Sequence, residues 1–245
     1  MADLAGKRAL VCGGTSGIGA ATAEALRDRG AAVTILARSA SGDAALACDL
    51  EDIDALTITI KKEIDANSAF EILVNNSAGP PAGPLLEAAP VDFEKAMRRH
   101  LHASHTLVQL LLPGMRAAGY GRIINIISTS VKEPIPGLGV SNTVRGAMAA
   151  WAKTLAKELP PGITINSVLP GFTATQRLEE LKQTLATQRG VSPAEVEAAW
   201  LATVPEGRLA QPSELGAVIA FLASPAAGFV RGVALPVDGG RLASI

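Results

Sequence analysis

Gly13, Gly17 and Gly19 stand in the segment Cys12-Gly13-Gly14-Thr15-Ser16-Gly17-Ile18-Gly19, between an apolar run, Arg8–Cys12, and a helical pattern from Ala20 to Arg29. Strand, glycine turn and helix in that order make a phosphate cradle. Glycines let the backbone turn sharply and approach a pyrophosphate, which sits on free N–H groups at the positive helix end. The spacing reads GxxxGxG rather than GxGxxG. The chemistry implied is dinucleotide binding through Gly13, Thr15, Ser16, Gly17, Ile18 and Gly19. Cofactor choice follows from the next strand end. A carboxylate for the ribose 2′-hydroxyl of NAD belongs about 20 residues beyond the glycines. That place holds Leu36-Ala37-Arg38-Ser39, without an acid. A guanidinium suits a 2′-phosphate, so Arg38 predicts NADP(H), with a solvated strand-end arginine as the plainer alternative.

The elements that must position these residues alternate along the chain. Strands are expected near Arg8–Cys12, Ala32–Ala37, Ala44–Cys48, Phe70–Asn75, Arg122–Ile127, Ile163–Leu169 and Val233–Val237. Helices are expected over Gly17–Arg29, Glu51–Ala66, Asp92–Ala118, Ser141–Glu158 and Glu214–Ala223. Alternation of this kind predicts an α/β, Rossmann-type, doubly wound fold: a seven-stranded parallel sheet with helices on both faces. No composition break splits residues 1–245, which read as a single dinucleotide-binding domain. Two places depart from the pattern. Only Ser39–Asp43 separate the second and third strands, too few for a covering helix, so either the third strand is abbreviated or one sheet face is thinly covered there. Residues 173–208 are mostly helical in pattern and long for a connection, and read as a lid.

Composition sets outer bounds. The 245 residues are 48% hydrophobic and 18% charged, enough for a large core. A net charge of −1 offers no basic field for nucleic acid or an anionic membrane. No apolar run reaches a membrane span and no secretory pattern opens the chain, so a cytoplasmic location is expected. Cys12 and Cys48 read as buried free thiols.

With the glycine turn in place, the chain resembles the short-chain dehydrogenase/reductase family along its whole length. Cys12–Gly19 matches the family's TGxxxGIG with Cys12 in place of threonine, and Asn75-Asn76-Ser77-Ala78 resembles NNAG, altered at its last two positions. Asn166 through Pro170-Gly171 is similar to the N-x-x-x-PG segment that lies against the nicotinamide, and Pro236–Gly240 to the terminal VDGG. The resemblance adds Asn76, Pro170, Gly171, Thr173 and Thr175 to the cofactor site, with Asp49 as the adenine contact. A helix cap or turn is the plainer role for Asp49.

The family reduces carbonyls with a serine and, thirteen residues later, the tyrosine of YxxxK. Ser128 fits the serine, but Ser141 and Arg145 stand where tyrosine and lysine belong, and His100 stands for the family's helix asparagine. The single tyrosine, Tyr120, precedes the fifth strand, at the sheet end away from ligands. A positioned general acid is worth about 10²–10⁴ in rate. Ser141 ionises far less readily than a phenol, and Arg145 keeps its proton at any working pH. His100 has the natural range for acid–base work, with a histidine merely packed on its helix as the plainer alternative. Lys132, four residues after Ser128, can act as an acid if burial lowers its pKa, or be a surface lysine. The catalytic candidates are therefore Ser128, Ser141, Arg145, His100 and Lys132. His102 and His105 lack acids or thiols beside them, and no metal is expected.

Pro134-Ile135-Pro136-Gly137-Leu138 forms a stiff apolar loop, and Leu178, Leu181, Leu185, Val196 and Trp200 form apolar stripes in the lid segment. Packing is one reading of those stripes; a cleft for an apolar or acyl-like carbonyl compound is the other. Small residues in Ser141–Glu158 and the apolar stretch Leu107–Leu112 resemble the family's assembly helices, implying a homotetramer or homodimer, with packing of the small residues on the chain's own sheet as the alternative. Two functions compete at this point: an NADP(H)-dependent oxidoreductase with a rearranged acid–base set, and a catalytically degenerate dinucleotide-binding protein with a regulatory role.

Overall fold

A computed structural model, describing residues 2–244, forms one parallel sheet from β1 (Arg8–Cys12), β2 (Ala32–Ala37), β3 (Ala45–Ala47), β4 (Ile72–Asn75), β5 (Gly121–Ile126), β6 (Ile163–Pro170) and β7 (Ala234–Val237). Their order across the sheet is β3-β2-β1-β4-β5-β6-β7. The helices are α1 (Gly17–Asp28), α2 (Ile53–Ala66), α3 (Pro90–Met97), α4 (Ala103–Ala118), α5 (Gly139–Glu158), α6 (Gln176–Arg189), α7 (Pro193–Leu201) and α8 (Pro212–Leu222).

Strand β1 shows why the sheet is covered twice. Successive side chains point to opposite faces. Leu10 and Cys12 join the core built with Leu56 and Ile60 of α2, Leu107 and Leu111 of α4, and Ala152 of α5. Ala9 and Val11 enter the opposite core with Ala23 and Leu26 of α1 and Leu215 and Ile219 of α8. Burial on both faces explains the near-continuous apolar strands. On that second face α1 and α8 cross closely, because a Cβ at Gly216 would lie 2.6 Å from the Ala21 carbonyl oxygen. The chain runs outward from β1 to β3 and then resumes at β4 on the other side. That reversal opens a crevice above the strand carboxyl ends, where ligands bind in such sheets.

One expectation holds and another changes. The third strand is abbreviated to three edge residues, and residues 38–44 connect it without a helix. The expected single helix Asp92–Ala118 starts at Pro90 and divides into α3 and α4 around a π turn, Arg98–His102. Within the turn the Ala103 N–H reaches the Arg98 carbonyl, five residues back. An added residue in one turn leaves the apolar spacing on either side helical, so periodicity does not reveal it.

In the 173–208 segment, Leu178, Leu181 and Leu185 pack with Val196 and Trp200, and Trp200 stacks on Phe172 at 5.0 Å. That cluster accounts for most of the apolar stripe by packing. A β-bridge between Thr173 and Ala210 ties the segment's ends to each other. Among the described residues no helix is long and apolar enough to cross a membrane. Cys12 and Cys48 are both free and buried, and burial raises the Cys12 thiol to about 12.

Candidate active site

The glycine turn joins β1 to α1 and is shaped by contact. A Cβ on Gly19 would stand 2.1 Å from the Gly13 carbonyl oxygen, and one on Gly13 would stand 2.7 Å from Asn76 Nδ2. Gly13 and Gly17 have φ of 59° and 53°, in the left-handed region that glycine adopts freely. Asn76 Nδ2 donates to the Gly13 carbonyl at 3.1 Å, which ties the turn to the end of β4. Helix α1 begins after Ser16, whose side chain makes no capping bond, and its first turn holds no acid. Its leading N–H groups therefore point toward the cleft unclaimed by side chains, as a bound phosphate requires. By contrast, α2 and α7 are capped by Asp52 and Ser192.

A cleft of about 600 Å³ runs from this turn across the strand ends, within the size range of cofactor sites. Gly13, Thr15, Ser16, Gly17, Ile18, Arg38, Asp49, Asn76, Pro170 and Thr175 all line it. Arg38 is exposed at the end of β2. Asp49 accepts from the Glu51 N–H at 3.0 Å, a turn role, while Asp52 is the residue that caps α2. Thr175 caps α6 by accepting from the Leu178 N–H at 3.2 Å, and its Cγ2 lies against Gly17. Gly19, Gly171 and Thr173 do not line the cleft. Gly19 packs inside the turn. Gly171 meets Asp238, where a Cβ would come within 2.6 Å of the backbone. Thr173 is buried, with Oγ1 donating to the Gly171 carbonyl at 3.2 Å. Asn166 stitches the last strands together: its side chain donates to the Val230 carbonyl and accepts from the Val233 N–H.

Ser128, Ser141 and Arg145 line the same cleft. Ser128 follows β5 and accepts from the Ser130 N–H at 3.0 Å. Ser141 lies in the first turn of α5 and Arg145 one turn later, on the same helix face. Arg145 is only 8% exposed; its Nη1 donates to the Ile126 carbonyl at 2.9 Å. Burial lowers its pKa to about 10, so it remains a cation at neutral pH.

His100 is brought near but not into the open cleft. The π turn buries it beside Arg145 on a small cavity of about 10 Å³. Its Nδ1 is 2.7 Å from Ser77 Oγ, and its Nε2 has no partner. Burial, with smaller effects from Arg145 and Arg99, lowers its pKa to about 2. The imidazole is neutral at ordinary pH, so it keeps one N–H but lacks the acidic imidazolium proton of a general acid. Lys132 ends the short turn after Ser128 and lines neither cavity. Tyr120 stands before β5, where its hydroxyl donates to the Ala223 carbonyl at 2.5 Å.

Sequence reasoning missed Ser77 and Arg177. Ser77 occupies an altered motif position, which was the available signal. Arg177 of α6 donates to the Pro80 carbonyl at 3.0 Å, and both residues line the cleft. Nothing in its sequence surroundings marks that contact.

Comparison with known proteins agrees with this geometry. Residues 13–241 match the family model described as enoyl-(acyl carrier protein) reductase. The chain is 32% identical to the 3-oxoacyl-[acyl-carrier-protein] reductase FabG of Vibrio harveyi, over 97% of this chain and 98% of that protein. It is also 32% identical to the short-chain reductase protein NovJ of Streptomyces niveus, over 95% and 93% of the two chains. Among solved structures, L-sorbose reductase from Gluconobacter frateurii, complexed with NADPH and L-sorbose, superimposes with a TM-score of 0.91 at 27% identity, covering 99% of this chain and 98% of that one. From the glycine turn to the terminal Asp-Gly-Gly, the chain belongs to the short-chain dehydrogenase/reductase family.

Proposed function

We propose that this protein is an NADP(H)-dependent oxidoreductase that reduces an apolar or acyl-like carbonyl compound with a non-standard acid–base set. The observation that carries the reading is one continuous cleft lined by the uncapped α1 turn and Arg38 together with Ser128, Ser141 and Arg145. The cofactor fits the residues present: a tight glycine cradle for the pyrophosphate, and a guanidinium for the 2′-phosphate. Bound NADPH supplies a hydride to the carbonyl carbon. The Ser128 and Ser141 hydroxyls orient the carbonyl oxygen, and the fixed charge of Arg145 stabilises negative charge developing there. The serine hydroxyls then relay a proton from cleft solvent. Ser141 and Arg145 take the places of the family's tyrosine and lysine in this reading, so turnover is slow by about 10²–10⁴ relative to a phenol-equipped site.

Residues 173–208 act as the lid in this account, and the Arg177–Pro80 contact links it to the turn after β4. The chain works as a homotetramer or homodimer. Support comes from fully exposed Phe229, from Phe221 at 41% exposure, and from the half-exposed edge strand β7. The reductase reading is tested by mixing the protein with NADPH and scoring cofactor consumption against ketones, imines and acyl thioesters. The neutral state of His100 favours the second reading, a binding or regulatory protein, because it removes one candidate acid. Tight NADPH binding with no consumption across the panel selects that second reading.

A further inference from the structure

Two of the arginines that line the cleft, Arg38 and Arg99, are satisfied in different ways. Arg38, at the end of β2, is exposed, and among the described residues it makes no ion pair. Arg99, in the π turn, is half-buried and pairs with the Glu51 carboxylate. Glu51 is held through its backbone as well. Its N–H donates to Asp49 Oδ1 at 3.0 Å, and its carbonyl accepts from Arg98 Nε at 3.3 Å. The segment begins beside β2, because the Cys48 N–H donates to the Ala37 carbonyl at 3.3 Å. Arg99 is thus anchored to the stretch Cys48–Glu51 that borders the end of β2, and Cys48, Asp49 and Leu50 line the cleft with it.

A 2′-phosphate held by Arg38 brings its own adenosine to this junction, since phosphate, ribose and base are covalently joined. The base then needs a face to lie against, and no Phe, Tyr, Trp or His lines the cleft. Leu50 offers apolar contact. Arg99 offers a plane: a guanidinium is flat, weakly hydrated and stacks on aromatic rings. Its bond to Glu51 uses donors on the rim of that plane and offsets its charge, so another anion gains little there, while its faces stay available. We propose that Arg99 is the stacking platform for the adenine of the bound dinucleotide. One residue type thus does two jobs, Arg38 for the phosphate and Arg99 for the base. This inference rests on the NADP(H) reading and adds a binding residue to it.

The test is fluorescence titration of the full-length protein with NADPH and with NADH, which share the adenine and differ in the 2′-phosphate. Arg99→Met keeps an apolar stem without a plane, and should weaken both cofactors by the same factor, roughly three- to tenfold. Arg99→Tyr restores an aromatic face but not the ion pair, and should bind both cofactors nearly as wild type does. Both variants lose the Glu51 pair, so their melting temperatures should shift alike while their affinities part. Loss confined to NADPH in Arg99→Met assigns Arg99 to the phosphate and overturns the inference. Equal loss in the Met and Tyr variants overturns it too, leaving only a structural ion pair, as does unchanged affinity in Arg99→Met. Failure of the wild-type protein to bind NADPH refutes the cofactor reading and the platform together, whereas tight NADPH binding that ignores Arg99 refutes the platform alone.

Discussion

His100 offers a sharp physical test, because its environment fixes both the sign and the size of an effect. The side chain is 4% exposed, touches Ser77 through Nδ1, and is held neutral beside the Arg145 cation. Its pKa is about 2 in the folded protein against an ordinary value near 6.5. Below pH 6.5 the unfolded chain therefore binds a proton that the folded chain refuses. Stability from this group is complete above about 6.5 and is lost progressively as pH falls toward 2. Each pH unit in that window is worth about 1.4 kcal/mol. Two units of acidification, to about pH 4.5, should cost the wild type about 2–3 kcal/mol through His100 alone. His100→Asn keeps a polar group of similar reach but cannot titrate. Urea unfolding of both proteins at about pH 7.5 and 4.5, at matched protomer concentration, isolates the difference, since the carboxylates are common to both. The variant should start less stable and lose less on acidification. Equal losses in the two proteins would refute the neutral, buried histidine and the π turn that places it.

Arg38→Ser should weaken NADPH binding by about 1.5–3 kcal/mol and leave NADH nearly unchanged, measured by nicotinamide fluorescence; a parallel loss for both cofactors contradicts the 2′-phosphate role. Gly19→Ala must push the Gly13 carbonyl aside from a 2.1 Å approach, so it should cost about 1–3 kcal/mol in stability and sharply reduce NADPH affinity. An unshifted melting temperature with intact binding would show that the turn is looser than described. Light scattering at micromolar concentration should give a dimer or tetramer, and a mass near 25 kDa would exclude both.

Much of this was legible from residue types and spacing because the cues are local. Apolar runs bounded by turns located all seven strands, and the glycines located the crevice, since a strand–glycine–helix unit carries its own geometry. The thirteen-residue interval from Ser128 to Ser141 placed both on one cleft because β5 and α5 are rigid supports. What escaped were features set by neighbours distant in sequence. The π turn changes where His100 points without changing the apolar pattern around it. Burial by α4 and α5, together with the Arg145 charge, then turns a histidine with an ordinary titration range into one that stays neutral. Likewise Leu178, Leu181 and Trp200 could serve a cleft or a core. The stacking of Trp200 on Phe172 decides largely for the core, and nothing in their helical spacing distinguishes the two.

In the proposed reaction hydride leaves NADPH in this cleft although no phenol stands beside Ser128. Transfer is measured with NADPH carrying deuterium at the transferable position, incubated with the protein and a panel of ketones and acyl thioesters, with products read by mass spectrometry. The expected product is an alcohol heavier by one deuterium, formed slowly, with transfer reduced by roughly 1–3 kcal/mol in Arg145→Ala. Deuterium that stays on tightly bound NADPH with ketones and thioesters alike would contradict the transfer and leave a protein that binds the dinucleotide without using it.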